Sequence, residues 1–115
     1  MTAERTVGVL HELAETIRAR RSETSDKSYT RQLIEAGPER CAKKLGEEAV
    51  EVVIAAVSQD DEALSAEAAD LLYHLLVLLE VRGILLDDVL AVLSRRMGTS
   101  GITEKASRIA GKPAR

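Results

Sequence analysis

Apolar residues recur along this chain at the three- and four-residue spacing of helices with one buried face. Val9, Leu10, Leu13 and Ile17 set the first such stripe and predict a helix from about Thr6 to Arg20. The polar stretch Arg21 to Lys27 reads as a loop, and a short helix follows from Tyr29 to Ala36, with Ser28 as its N-cap. Gly37-Pro38 stops that helix and starts the next, because proline at a first helical turn lacks only an N–H that has no partner there. The third helix reaches about Ser58. Gln59, Asp60 and Asp61 break it and cap a fourth, from about Asp61 to Arg82 and closed by Gly83. A fifth, Asp87 to Met97, has acids at its start and Arg95 and Arg96 at its end, matching the helix dipole at both ends. The expectation is therefore an all-α bundle of four to five helices over residues 1–97. A C-terminal tail at 98–115 has no sustained apolar face and reads as flexible in part.

Two of these helices are apolar on too many sides. VEVVIAAV (Val50 to Val57) and LLYHLLVLL (Leu71 to Leu79) present apolar groups nearly all round, and such a helix must be covered all round. A 115-residue chain with an amphipathic first helix covers only part of that surface. The pattern predicts a homodimer whose second copy completes the core.

Composition narrows the class. The chain is 45% hydrophobic but only 2% aromatic, so the core is built from Leu, Val, Ile and Ala. A net charge of −3 argues against broad nucleic-acid binding, which needs a basic face. The lone Cys41 cannot form an intramolecular disulfide and reads as an inert buried thiol in a reducing compartment. Residues 1–20 carry charges throughout, unlike a secretory signal, and the apolar run Leu71 to Leu86 is too short to span a bilayer. A cytoplasmic protein with no membrane partner is expected.

The chemistry is concentrated in carboxylates. Glu47, Glu48 and Glu51 fall within a sector about 100° wide on the third helix, and Glu67 and Asp70, three apart, stand one above the other on the fourth. Antiparallel packing through a short turn brings the two sets side by side. Five facing carboxylates repel unless something neutralises them, and a hard divalent cation with oxygen ligands does so; Mg²⁺ is the usual choice beside phosphates. The opposing reading is a solvated acidic face, supported by the four-residue spacing of Lys43–Glu47 and Lys44–Glu48. Glu51 and Asp70 weigh against it, since both sit inside apolar runs. His74, four residues after Asp70, reads either as an outer partner of the site or as a satisfied core residue.

The EExxE…ExxD arrangement resembles the metal-binding signature of the all-α nucleoside-triphosphate (NTP) pyrophosphatases. Within that superfamily, SYTRQLIEAG (Ser28 to Gly37), KKLGEEAVEVVIAA (Lys43 to Ala56) and EAADLLYHLLVLL (Glu67 to Leu79) are similar to the phosphoribosyl-ATP pyrophosphatase family, and SGITEKASR (Ser100 to Arg108) resembles that family's C-terminal end. The resemblance implies hydrolysis of phosphoribosyl-ATP to phosphoribosyl-AMP and pyrophosphate, the second step of L-histidine biosynthesis. It implies Mg²⁺ held by Glu47, Glu48, Glu51 and Asp70, with Glu67 a ligand or an outer group. Glu48 or Glu51 would activate the attacking water. Ser28, Tyr29, Thr30, Arg31, Lys43 and Lys44 are the candidate substrate contacts; Ser28 to Thr30 stand at a helix N-terminus, a natural place for an anion. Two other readings stay open. One is a housecleaning pyrophosphatase of the same superfamily acting on deoxynucleotides, with identical metal chemistry. The other is a non-enzymatic helical dimerisation module whose acids serve solubility.

Overall fold

The computed structural model describes residues 8–22 and 28–98, and every element among them is a helix. In chain order they are α1 (Val9–Arg20), α2 (Tyr29–Ala36), α3 (Pro38–Ser58), α4 (Asp61–Val81) and α5 (Leu86–Met97). The all-α expectation and the order of the five helices hold. Of the expected tail, 98–115, residues 99–115 lie outside the described residues, as do 23–27 of the expected loop.

Two starts differ from the pattern. Gly8 is the N-cap of α1 with φ 84°, a left-handed conformation that ends helical geometry there, so α1 begins at Val9. Apolar periodicity does not register such a break. α5 begins at Leu86, one residue early, because the Asp88 side chain accepts from the Leu85 backbone N–H at 3.3 Å and fixes the first turn around Leu85.

Elsewhere the local signals act as read. Ser28 Oγ accepts from the Arg31 N–H at 3.2 Å, capping α2. Gly37, at φ 96°, turns the chain between α2 and α3, and Pro38 occupies the first turn of α3. Asp60 Oδ1 accepts from the Ala63 N–H at 2.8 Å, so only two residues separate the end of α3 from the start of α4. That short turn folds α4 back along α3, and the two 21-residue helices form the principal packing of the chain.

The chain divides into two compact units, Met1–Gly83 and Ile84–Arg115. In the first, α1 packs on α4, and α2 packs on both α3 and α4. Its core draws on all four helices: Ile17 from α1, Leu33 from α2, Cys41 and Ala55 from α3, Leu76 and Val77 from α4. Cys41 Sγ donates to the Leu33 carbonyl at 3.1 Å, and burial pushes its thiol pKa up, as an inert cysteine requires. Glu80 ties the end of α1 to α4, accepting from Arg21 Nη1 at 2.6 Å and from Arg18 Nε at 3.5 Å. The second unit carries α5, none of whose residues is fully buried.

That core is small for the apolar content of α3 and α4. Val50, Val53, Ile54 and Val57 are all exposed, Val57 by 80%, and they form one stripe along the C-terminal half of α3. α4 is better covered; Leu72 is its exposed large apolar residue. Among the described residues, no helix is long and apolar enough to cross a membrane.

Ile17 is 1% exposed and its contacts hold α1 on the bundle. Ile17→Ala is expected to lose about 2–5 kcal/mol of stability and Ile17→Val about 0.5–1.5 kcal/mol, measured by urea unfolding. Equal losses in the two variants would mean that packing at Ile17 does not anchor α1.

Candidate active site

The α3–α4 turn sets which side chains meet. Glu48 on α3 and Glu67 and Asp70 on α4 each offer a carboxylate oxygen within 4.8 Å of the others. The three-residue spacing of Glu67 and Asp70 stacks them on one face of α4, and the antiparallel return of that helix brings the face against Glu48. Glu48 and Glu67 are half-buried and Asp70 is open to solvent. The crowding shows in protonation. Burial, then the charges of Asp70, Glu51 and Glu48, hold the Glu67 carboxyl above its ordinary range.

Of the five carboxylates expected at a metal, the structure thus brings Glu48, Glu67 and Asp70 into one group. Glu51 stands outside that triplet, near enough to act on Glu67 and open to solvent. Glu47 is turned toward Lys44, whose Nζ lies 3.4 Å from Glu47 Oε1. This pair is three residues apart, in place of the two four-residue pairs that the spacing allowed. Glu51 and Asp70 are exposed despite their apolar neighbours in sequence; beside Glu51 the valine stripe is itself uncovered.

Both readings of His74 are partly met. The ring is buried, and its Nε2 lies 4.0 Å from Glu48 Oε1. Burial lowers its pKa, against the pull of Glu48, so the neutral imidazole is favoured. Tyr73 and Tyr29 meet the ring edge-on, with centroids 4.9 and 6.2 Å away. The hydroxyls of Tyr73 and Thr30 are hydrogen-bonded, which ties α2 to α4. Of the Ser28–Tyr29–Thr30 triplet, Ser28 caps α2, Tyr29 reaches the His74 ring and Thr30 holds Tyr73. Arg31 pairs with Glu35 within α2 through Nη2 at 3.1 Å, while its Nη1 is buried with no hydrogen-bond partner among the described residues.

On the preceding turns of α3, Arg40, Lys43, Lys44 and Glu47 line an open groove of about 200 Å³. Sequence reasoning passes over Arg40 and Tyr73. The signal for Arg40 was its register, since residues 40, 44, 47 and 51 share one face of a helix. Tyr73, one of only two aromatic residues in the chain, stands between Asp70 and His74.

The triplet suits a hard cation. All its donors are carboxylate oxygens, and Mg²⁺–oxygen distances of about 2.1 Å allow ligands up to about 4.2 Å apart, so a small inward movement from 4.8 Å would gather them on one ion. Half-burial of Glu48 and Glu67 restricts water on the α3–α4 side, and exposed Asp70 leaves the outer side open to a ligand.

An all-helical unit with EExxE on one helix and ExxD on its antiparallel neighbour is the arrangement that the resemblance to the all-α NTP pyrophosphatases leads one to expect. Residues 10–97 match the phosphoribosyl-ATP pyrophosphohydrolase family. The chain is 60% identical to phosphoribosyl-ATP pyrophosphatase 1 of Bradyrhizobium diazoefficiens over 99 residues, covering 86% of this chain and 93% of that protein. It is 52% identical to phosphoribosyl-ATP pyrophosphatase of Ruegeria pomeroyi over 105 residues, 91% of this chain and all of that one. Against phosphoribosyl-ATP pyrophosphatase 1 of Rhodopseudomonas palustris the identity is 54% over 99 residues, 86% of this chain and 92% of that one. The chain belongs to the phosphoribosyl-ATP pyrophosphohydrolase family.

The repulsion at the triplet has a direct test. With chelator present at neutral pH, Glu67→Gln keeps the side-chain shape and removes one crowded charge, so its unfolding temperature is expected to rise above that of the unsubstituted protein. A fall would show that Glu67 is stabilised where it stands.

Proposed function

We propose that this chain hydrolyses phosphoribosyl-ATP between its α and β phosphates, giving phosphoribosyl-AMP and pyrophosphate in L-histidine biosynthesis, with Mg²⁺ as cofactor. The observation that carries the reading is the convergence of Glu48, Glu67 and Asp70 in a chain so similar to proteins named for that activity. In this reading Glu48, Glu67 and Asp70 hold the cation, and Glu47 joins them only by releasing Lys44. The ion would supply charge neutralisation on the phosphate oxygens as the anhydride bond breaks.

The remaining steps belong to the chain's own side chains. A carboxylate that orients or deprotonates the attacking water must keep a lone pair free of metal. Glu51 meets that condition better than Glu48, since it stands beside the triplet but outside it. His74, neutral and edge-on to two tyrosines, brings its Nε2 to 4.0 Å from Glu48 Oε1, close enough to limit the movement of that carboxylate. Lys44 lies one turn before Glu48, where its ammonium can contact a phosphate oxygen once it leaves Glu47.

We assign the exposed stripe Val50, Val53, Ile54 and Val57 to a second copy of the chain. It runs continuously from the carboxylate-bearing turns of α3, so pairing there would also cover Glu51 and dry the site. A reducing, cytoplasmic setting agrees with the single buried Cys41.

The deciding experiment is pyrophosphate release from phosphoribosyl-ATP with and without Mg²⁺, run beside a panel of deoxynucleoside triphosphates. Metal-dependent release from phosphoribosyl-ATP is expected; release from deoxynucleotides alone would favour the housecleaning reading, and no release from any substrate the non-enzymatic one. Glu48→Gln and Asp70→Asn should lower turnover by orders of magnitude, and Glu51→Gln should lower kcat with little change in KM. Near-normal turnover in Asp70→Asn would remove that residue from the site. For assembly, sedimentation should show a dimer for the unsubstituted chain and a weakened one for Val53→Glu. A folded monomer at micromolar concentration would contradict the assignment of the stripe.

A further inference from the structure

The proposed chemistry accounts for the triphosphate end of phosphoribosyl-ATP and leaves the other end without a receptor. The phosphoribosyl group carries its own phosphate monoester, with a charge of about −1.5 to −2 at neutral pH. α3 offers a complementary surface. Arg40, Lys43 and Lys44 set three cations against the single carboxylate of Glu47 in the groove of about 200 Å³. Lys44 and Glu47 are paired with each other, whereas Arg40 and Lys43 have no ion pair among the described residues. The face is bipolar. Cations occupy its first turns and carboxylates the next, and Arg40 precedes Glu48 by eight residues, about 12 Å along the axis.

We propose that this groove binds the ribosyl phosphate of the substrate, with Arg40 as its principal contact, and so distinguishes phosphoribosyl-ATP from nucleotides that lack the group. The inference rests on the activity proposed above. Three observations favour it. The groove, of about 200 Å³, is large enough to take a phosphate monoester. A guanidinium presents paired donors that match phosphate oxygens, and Arg40 is not committed to a carboxylate. Glu47 of the groove directly precedes Glu48 of the carboxylate group on α3, so one bound molecule spanning about 12 Å along that helix can place its anhydride at Glu48, Glu67 and Asp70 and its monoester at Arg40. Glu47 lines the groove and adjoins Glu48, marking the boundary between the two ends.

The test uses the full chain with Mg²⁺ and compares the unsubstituted protein with Arg40→Gln and Arg40→Lys. Phosphoribosyl-ATP turnover gives kcat and KM, and calorimetry gives affinities for phosphoribosyl-AMP and for AMP, which differ by the phosphoribosyl group alone. In Arg40→Gln, KM for phosphoribosyl-ATP should rise about tenfold or more with kcat nearly unchanged. Its preference for phosphoribosyl-AMP over AMP should shrink by a similar factor, and Arg40→Lys should recover part of both. Equal weakening of both nucleotides would assign Arg40 to the shared nucleotide and overturn the proposal; so would unchanged kinetics and binding. If the unsubstituted protein releases no pyrophosphate from phosphoribosyl-ATP, the activity reading itself fails, and that result is separate from any effect at Arg40. Arg40 is exposed, so the variants are expected to fold; matching circular dichroism and unfolding temperatures check this.

Discussion

Glu48, Glu67 and Asp70 bring like charges within 4.8 Å of one another, and the fold has to hold them there against their repulsion. It does so through the two-residue turn between α3 and α4. The cap from Asp60 to Ala63 fixes where α4 begins, and that start fixes which α4 residues pass Glu48. The helices are long, and apolar contacts spread along them offset a repulsion confined to a few turns. A charge cluster held in this way is preorganised. The cation is expected to enter a site whose electrostatic strain is present beforehand, so its binding relieves an existing penalty.

The same helix α3 carries the other demands on the chain. Its first turns bear the cations of the groove, its middle the carboxylates, and its last turns the bare valine stripe. The proposed anion recognition, metal binding and pairing of copies would thereby be arranged along one helix of 21 residues. A small core in the first unit follows from this arrangement. Side chains on α3 that serve the groove or the stripe are unavailable for packing within a single copy, and the buried apolar residues are correspondingly few.

Much of this was legible in the sequence. Five helices and their order followed from apolar spacing, and Ser28, Gly37-Pro38 and Asp60 marked breaks with chemistry that acts locally. The start of α1 was misread because Gly8 breaks helical geometry without breaking the apolar rhythm. EExxE and ExxD named the right helical faces, but a sector of 100° cannot say which members converge. That depends on how α4 crosses α3, and the crossing favoured Glu67 while leaving Glu47 to Lys44. The link from Thr30 to Tyr73 was equally out of reach, since it joins residues 43 apart whose types alone suggest nothing. Exposure of Glu51 and Asp70 was misjudged for a different reason. An apolar neighbourhood in sequence implies burial only when something covers it.

The most direct test of the central claim, that the carboxylates across the α3–α4 turn form a metal site, is the unfolding temperature as a function of Mg²⁺ concentration. Ligand binding to the folded state alone raises stability with the logarithm of ligand concentration above its dissociation constant. The account predicts a saturation-free rise of that form from chelator upward in the unsubstituted protein, and a much flatter response in Asp70→Asn. An unfolding temperature that stays constant from chelator to millimolar Mg²⁺, or one that rises equally in Asp70→Asn, would contradict it.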